Sequence, residues 1–493
     1  MTPGQSIRSG VKWLVAGKVG GRVLEFGFGI VLARLLVPAD FGMIATVSAM
    51  TGFVGLLTSG GMGQSIVRAK AADERDFDAV FTLQLGLGVL VYTVFFFAAP
   101  LIADYFHDPL YEDLIRVSAL SFLLRPFLNM RSSWLTREMQ FKQATVYAFI
   151  TGILSGILSC LMAWGGLGVW SLVLSGLASA MVYNTLLTRL TPLRLGLRFD
   201  RERLRKHTGY GAKITINDLL DYLIQESKNL IISKLAGPGL LGLFNKGESL
   251  SRLPNQLVAS TTMQPLFRAL SKIQDDLDTT KYLFHRAITL LSVYTLPLYV
   301  GLWWIAEPFI LVVYGEKWVA ASEAMRILVL LGIFLNVLGP CGALLEAQNR
   351  LTQDMIALLI RLVLTVSAIY IGVGWGMSGV AWALVMTTVF STVYYYVLVA
   401  RVIPTGIADL VKSLLPALTL AALVFATLAA TDQVLEDAHG THSGIYLLTM
   451  SAVGALVYST AFLFLPIKAI SSEALRWRQT LNGGLQLVFR PRS

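Results

Sequence analysis

Charge is scarce in this chain. Of 493 residues only 14% are Asp, Glu, Lys or Arg, whereas 55% are hydrophobic and the mean hydropathy is +0.65. So few charges cannot cover a water-soluble domain of this size, which excludes an ordinary aqueous globule. Cysteine is nearly absent: Cys160 and Cys341 each fall inside an apolar run, so they read as buried structural thiols and report no redox compartment. The five histidines are scattered. No metal-spaced His/Cys cluster, nucleophile elbow or phosphate-cradling glycine loop appears, which argues against an enzyme. A cleavable signal peptide is not expected either, because the first apolar stretch is long, carries Lys18, Arg22 and Glu25, and ends without a small-residue cleavage site.

What the chain has is long apolar runs, about 20 to 25 residues each, enough to cross roughly 30 Å of hydrocarbon. About fourteen can be read, beginning near Val11, Phe41, Ala79, Glu112, Phe141, Leu167, His207, Leu240, Lys281, Ser322, Gln353, Met377, Ile407 and Ser443. They are continuous rather than alternating and about twice the length of a barrel strand, so helices are expected and strands are not. The runs near Leu240 and Lys281 are the most open to interruption, because they contain Pro254 and Pro297.

The net charge of +10 has a membrane explanation rather than a nucleic-acid one. With the N-terminus placed inside, the inner segments collect nearly all the Lys and Arg that lie between spans, most densely in Arg189, Arg194, Arg198, Arg201, Arg203, Arg205 and Lys206. The outer loops hold Lys317 and are otherwise acidic, with Asp104, Asp108, Glu112 and Asp113 in one and Asp432, Glu436 and Asp437 in another. This is the positive-inside pattern with both termini cytoplasmic, and the excess cation faces anionic lipid headgroups.

The chain also repeats itself. Ala33-Arg34-Leu35-Leu36-Val37-Pro38 with Gly42 returns as Ser233-Lys234-Leu235-Ala236-Gly237-Pro238 with Gly242, and Trp164-Gly165-x-x-Gly168-Val169 returns as Trp375-Gly376-x-x-Gly379-Val380. Pro100 with Pro308, Tyr105 with Tyr314 and Arg116 with Arg326 keep a similar register. Six spans per copy make the copies parallel, the arrangement of transporters whose substrate site lies between halves. The expected layout is a six-helix lobe over 1–190, a basic cytoplasmic linker over 191–206 and a second six-helix lobe over 207–402. Two further helices over 403–470 and a cytoplasmic or interfacial tail over 471–493 complete it. The repeated motifs themselves read as hairpins at the outer face, with the two glycines allowing close helix approach.

Charged and polar residues inside spans are the candidate site. Arg22 lies about 15 Å deep at 1.5 Å per residue, with Glu25 on nearly the same helical face. The seventh span carries Asn217, Asp218, Asp221, Gln225, Glu226, Lys228 and Asn229, and the eighth Asn245, Lys246, Glu248, Arg252 and Asn255. Helices this polar are expected to line a wet central cavity. Arg22, Arg252, Asn255 and Lys228 are the candidate substrate contacts, since guanidinium presents donors matched to phosphate oxygens. Glu25, Asp218, Asp221 and Glu226 are the candidates for a coupling proton or cation.

The run Ala33-Arg34-Leu35-Leu36-Val37-Pro38-Ala39-Asp40-Phe41-Gly42, together with Gly61-Met62-Gly63-Gln64, Leu135-Thr136-Arg137-Glu138-Met139-Gln140-Phe141-Lys142 and Leu270-Ser271-Lys272-Ile273-Gln274-Asp275-Asp276, resembles the polysaccharide transporter family. These are the O-antigen and exopolysaccharide flippases of the multidrug/oligosaccharidyl-lipid/polysaccharide exporter superfamily. The resemblance implies two six-helix lobes around a central cavity, alternating access, and an undecaprenyl-pyrophosphate-linked oligosaccharide moved from the inner to the outer leaflet of the bacterial inner membrane. It implies cationic cavity residues on the first and eighth spans, where Arg22 and Arg252 lie. No cofactor is expected beyond a coupling Na+ or H+, and the expected partners are membrane lipids, a polysaccharide polymerase and export proteins, not nucleic acid. Two alternatives remain: a cation-coupled multidrug exporter of the same superfamily, and a membrane polymerase or glycosyltransferase of the same pathway. The second is disfavoured because every outer loop is short.

Overall fold

The computed structural model describes residues 20–59, 61–69, 72–435 and 443–488; side chains are described for these except at 59, 206–218, 259–261, 264, 351, 443 and 481–488. Among the described residues all regular structure is helical. Helix α1 runs over 20–35. It is followed by α2 (Pro38–Ser59), α3 (Met62–Arg68), α4 (Glu74–Phe106), α5 (Leu110–Ala119), α6 (Ser121–Arg137), α7 (Phe141–Trp164), α8 (Trp170–Leu190) and α9 (Arg201–Ser251). Then come α10 (Leu253–Lys272), α11 (Leu277–Tyr314), α12 (Ala321–Leu328), α13 (Leu331–Ala347), α14 (Leu351–Gly372), α15 (Gly376–Ala400), α16 (Ile407–Val434), α17 (Ser443–Phe464) and α18 (Ser471–Val488).

Eight stretches among the described residues are long and apolar enough to cross a membrane, and one of them, Thr352–Ala400, contains both α14 and α15. The pair α12–α13, bent by 51°, makes a ninth if taken as one span. The other expected spans fall short of that test for visible reasons. The first begins outside the described residues, and the fourth is divided between α5 and α6 at Leu120 and carries Arg116, Arg125 and Arg131. The seventh is the polar part of α9 before Gly237, and the eighth is the part of α9 after it, continued by α10 past a break at Arg252. Large apolar side chains such as Phe97 (73% exposed) and Leu101 (72%) point away from the protein, as lipid-facing residues do. The chain is an all-α, multi-pass membrane protein.

It forms two compact units, Met1–Gly242 and Leu243–Ser493. The division falls just past Gly237, whose φ of 82° breaks the helical path of α9. In the first unit α4 starts on a reciprocal cap, in which Asp73 accepts from the Asp76 N–H (3.0 Å) and Asp76 accepts from the Asp73 N–H (3.1 Å). One core joins Val47 of α2, Phe95 and Ala99 of α4, Tyr111, Leu114 and Ile115 of α5, Phe122 of α6 and Val173 of α8. A second, around Met62, Ile66, Phe77, Phe81 and Met130, fixes α3 against α4 and α6.

The second unit repeats this element order. Helix α11 (38 residues) matches α4 (33 residues). Its cap is Asp276, which accepts from the Thr279 N–H (3.0 Å) and Oγ1 (2.6 Å). The broken pair α12–α13 matches α5–α6, and the second member is 17 residues long in both. Each of the paired arginines binds a carboxylate, but from a different helix: Arg116 meets Glu112 of its own α5 at 2.6 Å, whereas Arg326 of α12 meets Glu307 of α11 at 3.3 Å. Pro297 sits inside a continuous α11, whereas Pro254 lies in the first turn of α10, just past the break at Arg252. Helices α16 and α17 have no counterpart and pack on α11 around Val424, Leu428, Tyr446 and Met450. The tail helix α18 is held by Arg286 to Ser472 (3.1 Å), Trp477 to the Tyr294 hydroxyl (3.0 Å) and Arg478 to the Leu463 carbonyl (2.7 Å).

The repeated proline–glycine motifs meet each other inside the first unit. A Cβ on Gly42 would stand 1.8 Å from the Pro238 carbonyl oxygen, and a Cβ on Gly242 would stand 1.8 Å from that of Pro38. The contact is reciprocal, as when one surface packs on its own copy. One turn further in, Thr46 Oγ1 donates to Ser233 Oγ (2.7 Å), and the Tyr111 hydroxyl joins Ser233 at 3.1 Å. The glycines therefore serve a helix crossing as well as a chain reversal. In the Trp–Gly motif the two copies use glycine differently: Gly166 (φ 82°) and Gly168 (φ 51°) turn the first copy, whereas Gly376 (φ 70°) turns the second and Gly379 packs on the Gly372 carbonyl. Trp164 and Trp375 are exposed in both, as interfacial anchors are.

The basic linker docks on acidic residues of the first unit. The Gly196 N–H donates to Asp78 (2.7 Å), the Arg198 N–H donates to Thr82 Oγ1 (2.9 Å), and Arg203 binds Asp76 (2.9 Å), Asp200 (3.2 Å) and Asp73. Desolvation raises the Asp73 pKa, but hydrogen bonds from Arg203 and the Asp76 N–H outweigh it and hold the carboxyl below its ordinary value.

Candidate substrate site

In the first unit the structure brings Arg22 and Glu25 together: Nη1 to Oε2 is 3.2 Å, with side chains 68% and 70% exposed. They lie 11 to 14 residues before the α1–α2 turn, about 16–21 Å along a helix. An ion pair at such a position in a span is stable only against polar surroundings. Glu25 lines a cavity of about 870 Å³ between α1, α7 and α8 whose walls include Thr145, Thr151, Ser155, Ser159, Ser175, Ser179 and Tyr183. Glycines 21, 29, 152, 156 and 176 keep it open.

The candidates on α9 separate. Lys228 is buried and donates to the Gln225 carbonyl at 2.7 Å, and Glu226 accepts from Asn229. Asp221 is exposed. The side chain of Asp218 lies outside the described residues. Between Asp221 and Glu226, Tyr222 reaches α2, donating to the Ser48 (2.9 Å) and Ala49 (3.0 Å) carbonyls. Glycines in α2 make the room: a Cβ on Gly52 would lie 2.1 Å from the Tyr222 hydroxyl, and one on Gly55 would lie 1.4 Å from Arg125 Nη1.

In the second unit Arg252 binds Glu248 one helical turn earlier, at 2.7 Å. Asn255, near the start of α10, faces Asn336 of α13 (3.5 Å), and Asn336 donates to Thr295 of α11 (2.7 Å). Asn336 and Thr295 are fully buried, so this polar run crosses three helices inside the unit. An apolar groove of about 280 Å³ lies on the same unit, lined by Leu257, Pro297, Gly301, Ile305, Met450 and Tyr458.

Residues 31–323 match the family model described as "Polysaccharide biosynthesis protein". The chain belongs to that family. Among curated relatives, the family member is 25% identical over 472 residues to the succinoglycan biosynthesis transport protein ExoT of Rhizobium meliloti, covering 94% of each chain. It is 23% identical over 418 residues to the lipopolysaccharide biosynthesis protein WzxC of Escherichia coli K12, covering 82% of this chain and 83% of that one. Its fold is that of the lipid II flippase MurJ in an inward closed conformation (TM-score 0.73, 17% identity, 92% of this chain and 98% of MurJ). An inward-facing multidrug resistance MATE transporter is also similar (TM-score 0.60, 15% identity, 78% of this chain and 94% of that one).

Chemically, the family member offers an exposed cation–carboxylate pair in one unit, a second arginine with its carboxylate in the other, and cavities of largely hydrocarbon wall, one of them carrying a row of hydroxyls. Among the described residues no group of His, Cys, Asp and Glu is placed to hold a metal ion. Sequence reasoning missed Tyr222, Thr295 and Asn336 as site neighbours. Asn336 was detectable as a lone amide in an otherwise apolar run, whereas Tyr222 and Thr295 are ordinary residues until their partners are placed.

Proposed function

We propose that the chain is a flippase that moves undecaprenyl-pyrophosphate-linked oligosaccharide repeat units across the bacterial inner membrane by alternating access, serving exopolysaccharide, O-antigen or capsule assembly. The observation that carries this reading is the exposed Arg22–Glu25 pair far along α1, beside a cavity whose largely hydrocarbon wall carries a row of Ser and Thr hydroxyls. Glu25 already meets Arg22 through one Nη1 contact, and the rest of the guanidinium fork matches the oxygens of a pyrophosphate. Arg22 is the proposed pyrophosphate contact of the first unit, and Arg252 with Asn255 that of the second. The α9 lysine, Lys228, is a reserve contact. Glu25, Asp218, Asp221 and Glu226 are the proposed carriers of a coupling H+ or Na+. The apolar groove beside α17 suits a hydrocarbon chain. The termini are proposed to be cytoplasmic, with a 1–190 lobe and a 207–402 lobe as the moving bodies.

The test is export in a strain that lacks the chromosomal gene. Arg22→Ala and Arg252→Ala should each abolish surface polymer, with lipid-linked repeat unit accumulating and the protein still present in the membrane. Normal export by both variants removes the pyrophosphate role of these arginines.

A further inference from the structure

The first unit holds a second cavity, of about 460 Å³, between α2, α3, α4 and α6. Its polar walls are three amides, Gln64, Gln84 and Asn129, and three hydroxyls, Ser132, Ser133 and Thr136. Leu56 and Val67 are the apolar side chains in the lining, and Arg68, exposed, is the charged one. We infer that this cavity recognises a neutral pyranose unit of the transported headgroup, an inference that rests on the lipid-linked oligosaccharide reading above.

Amides and hydroxyls each donate and accept, which complements sugar hydroxyls that do the same. The lining argues against the other ligand classes. A phosphate would call for more than one exposed cation, a metal for carboxylate, imidazole or thiolate, and a drug-like cation for a carboxylate or an aromatic face, neither of which is in the lining. A volume of this size lies within the usual range of small-molecule sites, about 300–1,000 Å³.

The cavity is prebuilt. Gly61 adopts φ 60°, which turns the chain into α3, and Gly63 leaves room that a Cβ, 2.7 Å from Ser133 Oγ, would take. The far end of α3 is pinned to α6 by Arg137, which donates to the Ile66 (2.9 Å) and Ala69 (2.7 Å) carbonyls. Gln84 is held at 2% exposure on α4. Gly61-Met62-Gly63-Gln64 thus has a physical role: two bare positions that open the space and one amide that faces it.

The test uses purified protein in liposomes with two fluorescent lipids. One is the lipid-linked oligosaccharide extracted from a strain lacking this gene, and the other is undecaprenyl pyrophosphate without sugar. Asn129→Leu and Ser133→Val should slow the glycosylated lipid about tenfold, the effect of one or two lost hydrogen bonds. Movement of the sugar-free lipid should not change. Gln64→Ala, at an exposed position, should show the same selective loss and serves where either of those variants fails to fold. Equal effects on both lipids, or none on either, overturn the sugar site. Wild-type protein that moves neither lipid overturns the flippase reading instead, before any variant is compared.

Discussion

Gly42→Ala should destabilise the protein through one contact. The new Cβ would lie 1.8 Å from the Pro238 carbonyl oxygen, whereas ordinary contact begins near 3.4 Å, so the two segments must part by about 1.6 Å. Overpacking of this kind costs about 1–3 kcal/mol. The same movement stretches the Thr46–Ser233 bond, now 2.7 Å, and the Tyr111 contact at 3.1 Å, each worth about 1 kcal/mol. The total is about 3–5 kcal/mol, which at about 2.1 cal/mol/K per residue lowers Tm by roughly 3–5 °C. Gly242→Ala presses on the Pro38 carbonyl at the same crossing and should cost a similar amount. Because either change forces the same separation, the double variant should melt close to the worse single variant, far from the sum. Gly86→Ala is the control: nothing lies within 4 Å of its Cβ, and a helical alanine there should stabilise by about 0.5–1 kcal/mol. Thermal unfolding of the detergent-purified proteins measures all four. Unchanged Tm in the single variants, or full additivity in the double, refutes the reciprocal crossing.

Other outcomes follow from the same structure. Arg203→Ala should lower Tm by about one to three degrees near neutral pH, as a partly exposed ion-pair cluster would. The Asp73 carboxyl is held below its ordinary value, so its share of that stability is complete above the unfolded pKa of about 3.8 and is lost as pH falls through the folded pKa. The wild-type to Arg203→Ala difference should therefore be flat from about pH 5 to 8 and shrink below about pH 4; a difference that grows in acid contradicts the pairing. An epitope inserted between α16 and α17 should be reached by antibody in spheroplasts whose inner membrane is intact, and labelling only after that inner membrane is permeabilised reverses the topology.

The helical membrane fold was legible because lipid leaves little freedom: an apolar run of bilayer length has to close its own backbone hydrogen bonds. The duplication was legible in Pro38/Pro238 and Gly42/Gly242, and the structure adds that the two copies press on each other as well as reversing the chain. That could not be read from spacing, because the contact joins residues about 200 apart in sequence. Nor could the docking of Arg198 and Arg203 on Asp78, Asp76 and Asp73, which gives two of the linker's cations a protein partner where headgroups were expected. The polar α9 was visible in composition. The local closure of Lys228 on Gln225 and of Glu226 on Asn229 was not, because composition does not say which polar groups satisfy one another. Of the amide- and hydroxyl-lined cavity, only the Gly61–Gln64 motif stood out in the sequence; Gln84 and Asn129 lie on two other helices, and nothing in the spacing joins them to it.

The central claim is transport of a pyrophosphate-linked glycolipid, and the direct measurement is made on purified protein in sealed liposomes. Fluorescent lipid-linked oligosaccharide from the gene-deficient strain is loaded in both leaflets, and an impermeant glycosidase or quencher is added outside. The account predicts that inner-leaflet lipid becomes accessible with wild-type protein, and that Arg22→Ala and Arg252→Ala hold accessibility at the outer-leaflet fraction. Accessibility that matches protein-free liposomes for wild type, or that is unaffected in both variants, contradicts it.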